Sequence, residues 1–453
     1  MNVIAIFDIG KTNKKVFLFD ENYRIVWEKS TNLAETTDED GFPCEDINML
    51  KNWILDQLTE LKKLSEYKLR AINFSTYGAS FVYVDEEGKV LTPLNNYLKP
   101  YPEVLKENFY AKYKGEKKFA VKTASPVLGS LNSGMQIYRL KEEKPEVFEK
   151  VKYCLHLPQY LSSLSTHQYF TDITSIGCHT SLWNYKKMRY HKWVSNEGII
   201  TKLPPIHNIE VTIKIENEIS VGIGLHDSSS AIIPYTINFS EPFVLLSTGT
   251  WNISMNPFND TALTPEELQK DCLCYLQYKQ KPVKSARLFG GNEHEVQTKK
   301  IAKHFGLPED FYKEVVYDKV IISSLRVSAL KNYFSCQDQN KILRESTFER
   351  RNLNDFKNYD IAYHQLMLDL VAQQILSTQL VIHNSPVKKV FVDGGFSKNS
   401  IFMNLLAQAF PEMEVYAASM AQASALGAAL AIHDRWNPKP IQNDLIDLKF
   451  YKH

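Results

Sequence analysis

One local pattern occurs twice, about half a chain apart, and it constrains the fold more than any other feature. Val3–Phe7 is apolar and largely β-branched, which reads as a buried strand. Asp8-Ile9-Gly10-Lys11-Thr12-Asn13 then makes a polar turn, and Val16–Phe19 is a second strand. Near residue 240 the unit returns. Phe243–Leu246 reads as a strand, Ser247-Thr248-Gly249-Thr250 as a polar turn and Trp251–Met255 as a strand. A repeated strand–turn–strand unit predicts a chain built of two similar halves.

The flanking segments complete an α/β pattern. Tyr23–Trp27 could add a third strand, so the chain opens as a β-meander rather than a βα unit. Ile47, Leu50, Trp53, Ile54, Leu58 and Leu61 recur at helical spacing. Ala71–Phe74 and Phe81–Val84 read as strands, 134–164 as less regularly helical with a new element opening at Pro158, and 165–220 as loop-rich. Val221–Asp227 is strand then turn, with a helix predicted from Ser228 as its N-cap. The last third alternates cleanly: helix Ile361–Ile382, strand Lys389–Val392, helix Ile401–Phe410 capped by Ser400, strand Glu414–Ala417 and helix Ala421–Ile432. Residues 337–358 are polar and charged and read as a surface excursion.

Composition excludes several classes. The 453 residues suffice for about two to four domains. Lys plus Arg is 53 and Asp plus Glu is 52, so the chain is not built to coat nucleic acid or an anionic membrane. A 44% hydrophobic content excludes a mainly disordered chain. Six cysteines, at 44, 154, 178, 272, 274 and 336, form no CxxC pair and read as ordinary buried or half-buried thiols of a reducing compartment. With no signal-type leader and no run of ~18 apolar residues, a cytoplasmic location is expected.

Three turns offer phosphate chemistry. Gly10-Lys11-Thr12 is not a Walker A loop, because Ala5 stands where its first glycine belongs and a strand follows instead of a helix. It remains a hairpin turn whose amides, Lys, Thr12 and Asn13 can face a phosphate chain. Asp8 there would repel phosphate unless Mg²⁺ sits between them. Thr248-Gly249-Thr250 offers further hydroxyls and amides, and Gly394-Gly395 lets a flat ring or phosphate approach the backbone. Each lies at the end of a predicted strand, where open α/β sheets bind ligands. Taken singly, each is also an ordinary tight turn. His226-Asp227 precedes a predicted helix, and a carboxylate there can accept a proton from a hydroxyl or simply cap the helix.

In this order the segments resemble the FGGY carbohydrate kinases of the actin/Hsp70/hexokinase ATPase superfamily. Asp8–Asn13 and Leu246–Trp251 are similar to that family's two phosphate motifs. Leu225-His226-Asp227-Ser228-Ser229-Ser230-Ala231 is similar to its Gly-x-His-Asp-Thr-x-Ser-Ala segment, and Phe391–Asn399 with Ala423–Ala429 to its adenosine region. Within the family, Phe74–Val82 looks like the rhamnulokinase segment Ile-Asp-Thr-Trp-Gly-Val-Asp-Phe-Val, with Tyr77 for Trp and Ser75 and Ser80 for carboxylates. Gln159 replaces another carboxylate.

The resemblance implies two actin-like (ribonuclease H-like) α/β domains, each a mixed sheet flanked by helices, with a deep interdomain cleft. They would span 1–238 and 239–453, with the tail from about residue 434 free to pack back on the first. It implies ATP and Mg²⁺ as cofactors, Asp227 as general base and Asp8 toward the metal. Gly10, Lys11, Thr12, Asn13, Lys14, Lys15, Gly249, Thr250, Gln297, Gly394, Gly395 and Asn399 would lie along the nucleotide. Thr76, Tyr77, Gly78, Ser80, His226, Asp227 and Ser228 would meet the acceptor. The implied reaction is phosphoryl transfer to a small sugar, a ketose or 6-deoxyketose such as L-rhamnulose or L-fuculose, by a monomer or homodimer. The rivals are a degenerate kinase kept as a sugar sensor and an actin- or Hsp70-like ATPase without a sugar acceptor.

Overall fold

The computed structural model describes residues 1–333, 343–420 and 422–452. It divides into two compact units. Unit 1 is Met1–Asn238, Cys274–Pro282 and Ala421–Leu445, and unit 2 is Phe239–Leu273, Val283–Met420 and Ile446–His453.

Unit 1 carries a mixed sheet. Asn2–Ile9 pairs antiparallel with Lys14–Asp20 and parallel with Lys68–Thr76. Ile25–Thr31 extends it on one side, and Ser220–Gly222 and Thr212–Lys214 on the other. The short strand Leu225–His226 also runs parallel to Lys68–Thr76. The first strand is buried on both faces, as its continuous apolar run requires. Phe7 stacks on Phe74 at 5.4 Å, and helix Ile47–Lys63 lays Leu50, Ile54 and Leu58 against this layer. Asp46 starts that helix by accepting the backbone N–H groups of Asn48 and Met49.

Unit 2 repeats the logic. Phe243–Thr248 pairs antiparallel with Asn252–Asn256 and parallel with Lys389–Gly394. The sheet order continues through Glu414–Ser419 to Asp447–Tyr451 on one side, and through Pro282–Leu288 to Cys272–Leu276 on the other. Helix Tyr359–Ile382 packs Leu366 and Leu370 into a core with Val390, Val392 and Phe402.

Several expectations change. Within 134–164 a new helix, Leu157–Thr166, does open at Pro158, but the strand Tyr153–His156, which was not expected, separates it from helix Pro145–Lys150. The helix after His226 begins at Asp227 itself, so Ser228 lies inside it rather than capping it. Asn399, not Ser400, caps helix Ser400–Ala409, because its side chain accepts the Phe402 N–H. Trp251 stands outside the strand, which starts at Asn252. The tail returns to unit 1 as far as Leu445, where Asn437 Nδ2 donates to the Glu21 carbonyl at 2.9 Å, and only then does strand Asp447–Tyr451 join the second sheet antiparallel to Glu414–Ser419. Helix Ala423–Ala431, read as part of the adenosine region, packs within unit 1. A Cβ on Gly427 would come 1.9 Å from the Ser230 carbonyl, so this helix backs directly onto the one that starts at Asp227. Within the expected surface excursion, Phe348 is buried in the core; 337–342 lie outside the described residues. Cys44, Cys154, Cys178, Cys272 and Cys274 are buried, and Cys336 lies outside the described residues. No helix among the described residues is long and apolar enough to cross a membrane.

Candidate active site

In unit 1 the C-terminal ends of three parallel strands converge. Ile9 sits opposite Thr76, and Thr76 opposite His226. Asp8 and Asp227 are therefore carried to one place by the sheet. Burial, then the nearby Asp227 carboxylate, pushes the Asp8 carboxyl up to about 7 against the pull of Lys15. Asp227 Oδ1 accepts the Ser228 N–H at 2.6 Å and lies 3.1 Å from His226 Nε2. Those contacts fix the carboxylate's orientation while leaving it one-third exposed to meet a ligand.

His226 is itself anchored. Its N–H donates to Thr174 Oγ1 at 3.0 Å, and Thr174 in turn donates to the buried Asp172 at 2.5 Å. Its ring lies so close to Gly78 that a Cβ there would meet Cδ2 at 2.5 Å. The residue type at 78 is thus set by the imidazole. Burial holds His226 below its ordinary pKa although Asp227 and Asp172 pull upward.

The Gly10 turn is closed by a Gly10 N–H bond to the Asn13 carbonyl at 3.0 Å. Thr12 and Asn13 are exposed, and Lys15 lies close enough to Asp8 to counter its rise. Lys11 pairs with Glu35 at 2.5 Å. Lys14 departs from the expectation that it lies along the phosphates. It is buried, 2.7 Å from Glu45 Oε1, and donates inward to the carbonyls of Lys11 and Gly10. Adjacent residues of a strand point to opposite faces, so Lys14 and Lys15 cannot serve the same side.

Other expected acceptor contacts also turn inward. Ser80 is buried and donates to the Asn95 carbonyl at 2.7 Å; Thr76 is buried and donates to the Tyr77 carbonyl at 2.9 Å. Gln159 donates to Asp172 and to the Gly224 carbonyl, and so braces the scaffold beneath Asp227. Tyr77 gives its hydroxyl to Glu45 at 2.5 Å and sets its ring at 60° to Tyr97. Glu45 and Tyr97 escaped the sequence reading. Burial first, then Asp227 and Glu45, raises the Tyr97 phenol, which places it beside the carboxylates.

In unit 2 a cavity of 860 Å³ opens at the strand ends, within the roughly 300–1,000 Å³ of small-ligand sites. Thr248, Gly249 and Thr250 line one end, and Gly395, Phe396 and Asn399 another. Thr248 ties the two turns together: its hydroxyl donates to the Asp393 carbonyl at 2.5 Å and accepts the Phe396 N–H at 3.0 Å. Gly394 has φ +85° and its Cβ would strike the Thr248 carbonyl at 1.9 Å, so only glycine fits. Gln297 is buried, reaches Ser346 at 3.5 Å and does not line the cavity. Lys398, from the Phe391–Asn399 segment, lines it too, as do His294 and Tyr312, which the sequence reading did not single out.

Among the described residues no group of three or more His, Cys, Asp or Glu could hold a metal by itself. The two carboxylates of Asp8 and Asp227 would suit Mg²⁺, which takes one or two carboxylates and completes its shell with water and phosphate oxygens.

Comparison with known proteins agrees with this layout. Residues 3–233 match the N-terminal domain of the FGGY family of carbohydrate kinases, and 240–440 match the carbohydrate kinase FGGY C-terminal domain. An L-fuculokinase of Escherichia coli (strain K12) is 24% identical over 275 residues, spanning 56% of each protein, so this chain spans little more than half the length of that relative. A rhamnulokinase of Mannheimia succiniciproducens is 23% identical over 452 residues, 94% of this chain and 88% of that protein. A carbohydrate kinase structure from Novosphingobium aromaticivorans shares the fold at TM-score 0.78 and 22% identity, over 99% of this chain and 96% of the other. A ligand-bound xylulose kinase from Lactobacillus acidophilus does so at TM-score 0.79 and 16% identity, over 100% and 94%. With both of its halves matched in order, the chain belongs to the FGGY family of carbohydrate kinases.

Proposed function

We propose that this chain transfers the γ-phosphoryl group of ATP to a hydroxyl of a small sugar, with Asp227 as general base. The observation that carries the reading is the meeting of Asp227 and Asp8 at the ends of parallel strands beside the Gly10 turn. A carboxylate raised by burial and by a second carboxylate beside it is an unstable arrangement unless a cation or a transferred proton gives it work.

Asp227 orients the acceptor hydroxyl and takes its proton as the oxygen attacks phosphorus in line. His226 and the Ser228 N–H hold the carboxylate so that one face stays open to the hydroxyl. Asp8 would hold Mg²⁺, and the ion when bound neutralises phosphate charge. In unit 1 the Gly10–Asn13 turn, with Thr12 and Asn13 exposed, and Lys15 offer backbone amides and donors suited to phosphate charge. The 860 Å³ cavity takes the nucleoside end, with Gly394, Gly395 and Asn399 at its wall or just behind it.

The acceptor class is a ketose or 6-deoxyketose. Support comes from the match to proteins named L-fuculokinase and rhamnulokinase. Tyr97, which stands near Asp227 with Tyr77 packed against it, offers an aromatic face that suits the methyl end of a deoxy sugar. The test is ADP release with Mg-ATP against L-rhamnulose, L-fuculose, L- and D-ribulose, D-xylulose, D-tagatose and glycerol. One sugar should give stoichiometric ADP and sugar phosphate. Sugar-independent ATP hydrolysis, with the whole panel silent, contradicts the reading.

A further inference from the structure

The unit-2 cavity contains a hydrogen-bond relay with only one consistent direction. It starts from a backbone group, whose role is fixed. The Phe402 N–H donates to Asn399 Oδ1 at 3.0 Å, because Asn399 caps the helix that follows. With its oxygen so used, the Asn399 amide must present Nδ2 on its other side, and Nδ2 donates to the Tyr363 hydroxyl at 2.7 Å. Tyr363 is fully buried, and its phenol stays protonated because burial raises it far above the ordinary value. The buried phenol accepts from Asn399, and among the described residues the one acceptor within reach of its own hydrogen is His294 Nε2, 2.9 Å away.

A neutral imidazole that accepts at Nε2 carries its hydrogen at Nδ1. His294 is neutral at ordinary pH, since burial pushes it down to about 4. The relay therefore sets His294 as the Nδ1–H tautomer. His294 lines the cavity, and no partner among the described residues takes up Nδ1. Its ring cannot turn freely. It stands edge-on to Tyr312 at 4.9 Å and 87°, and to Phe396 at 5.2 Å and 89°. The cavity thus has aromatic walls and one oriented donor among them, which is the complement of a flat heterocycle with an in-plane acceptor nitrogen.

We propose that His294 reads the nucleobase, donating from Nδ1–H to a ring nitrogen of a purine, with Tyr363 and Asn399 as positioning residues that set its tautomer. This rests on the nucleotide occupying the unit-2 cavity. The specificity is for the acceptor atom. A site built to give a hydrogen bond discriminates against an analogue that lacks the acceptor, because the donor is then left unpaired.

The experiment is calorimetric titration of the full chain with ADP and with 1-deaza-, 3-deaza- and 7-deaza-ADP, each of which replaces one ring nitrogen by CH. One analogue should bind about tenfold or more weakly than ADP to the wild type. In His294→Phe, which keeps an aromatic ring in the wall, that penalty should shrink to within about twofold. Equal binding of all four ligands by the wild type overturns the proposal, as does a penalty that persists in His294→Phe. Either result leaves the nucleotide-site reading standing, because ADP still binds. Failure of the wild type to bind ADP at all overturns both. The relay has its own readout, the ¹⁵N spectrum of the His294 ring. The wild type should show Nδ1 protonated, and Tyr363→Phe, which deletes only the donor to Nε2, should shift that signature and weaken ADP. A wild-type ring protonated at Nε2, or a Tyr363→Phe ring with an unchanged tautomer, removes the positioning roles.

Discussion

Lys14 Nζ lies 2.7 Å from Glu45 Oε1, with both side chains almost wholly buried at 2% and 4% exposure. The same lysine holds the carbonyls of Gly10 and Lys11, and the same glutamate accepts the Tyr77 hydroxyl. One buried pair therefore joins the back of the Gly10 turn to Tyr77. Removing one member leaves an uncompensated buried charge, which costs about 3–5 kcal/mol. Glu45→Gln should lower the unfolding free energy by that order. The double variant Lys14→Met/Glu45→Leu should recover most of it. Denaturant unfolding of all three decides the point, and a Glu45→Gln loss below about 1 kcal/mol would show the pair to be solvated.

Gly78 is occupied by a neighbour's ring rather than by empty space. In Gly78→Ala the new methyl would lie 2.5 Å from His226 Cδ2, so the imidazole must move and Asp227 must lose its 3.1 Å partner. Displacement by about 1 Å at a catalytic group can cost ~10²-fold in rate. Turnover of the active sugar should fall by that order while ADP affinity stays put, since the cavity proposed for the nucleotide lies in unit 2. A variant with normal kcat would mean that His226 does not position the base.

The Gly394 turn makes the opposite prediction. Gly394→Ala places a Cβ against the Thr248 carbonyl at a φ that disfavours side chains. It should weaken ADP by at least about tenfold and lower thermal stability together, because Thr248 braces both the Gly249 and Gly395 turns. Calorimetry and thermal unfolding report the two effects. Unchanged ADP binding would detach this turn from the nucleotide.

Much of the fold was legible because strands buried on both faces announce themselves as unbroken apolar runs. Val3–Phe7 and Phe243–Leu246 were read correctly for that reason. Asp227 read alone was a base or a helix cap, and the structure sets it at the first position of its helix and beside Asp8. The failures share one cause: they depend on partners distant in sequence. Lys14 reads as a phosphate ligand until Glu45 is seen beneath it, although strand parity already forbade Lys14 and Lys15 from sharing a face. Ser80 looks like a pocket hydroxyl until the Asn95 carbonyl claims it. His294 carries no motif, and its tautomer is set by Tyr363, 69 residues away.

Buried neutral histidines give the chain an acid limit. Burial lowers His156 to about 3 and His191 to about 4, from an ordinary 6.5. Between 6.5 and those values the unfolded chain takes up protons that the folded chain refuses. Stability is therefore full above pH 6.5 and falls as the pH drops, by up to about 1.4 kcal/mol per pH unit for each histidine. His156, 3.1 Å from Ser133 Oγ and packed on Phe81, is the cleaner probe. Unfolding free energies from pH 7 to 4 should fall less steeply in His156→Gln, by about one proton's worth of slope. Parallel curves for variant and wild type would mean that the ring titrates normally in the fold.

The central claim is that Asp227 takes the proton of a sugar hydroxyl during phosphoryl transfer. It is tested most directly by sugar-dependent ADP release in Asp227→Asn, measured beside the affinity for ADP. A positioned general base contributes roughly 10²–10⁴-fold, so turnover should fall by that factor or more with ADP affinity within about threefold of wild type. Turnover within about tenfold of wild type, at unchanged ADP affinity, would contradict the assignment.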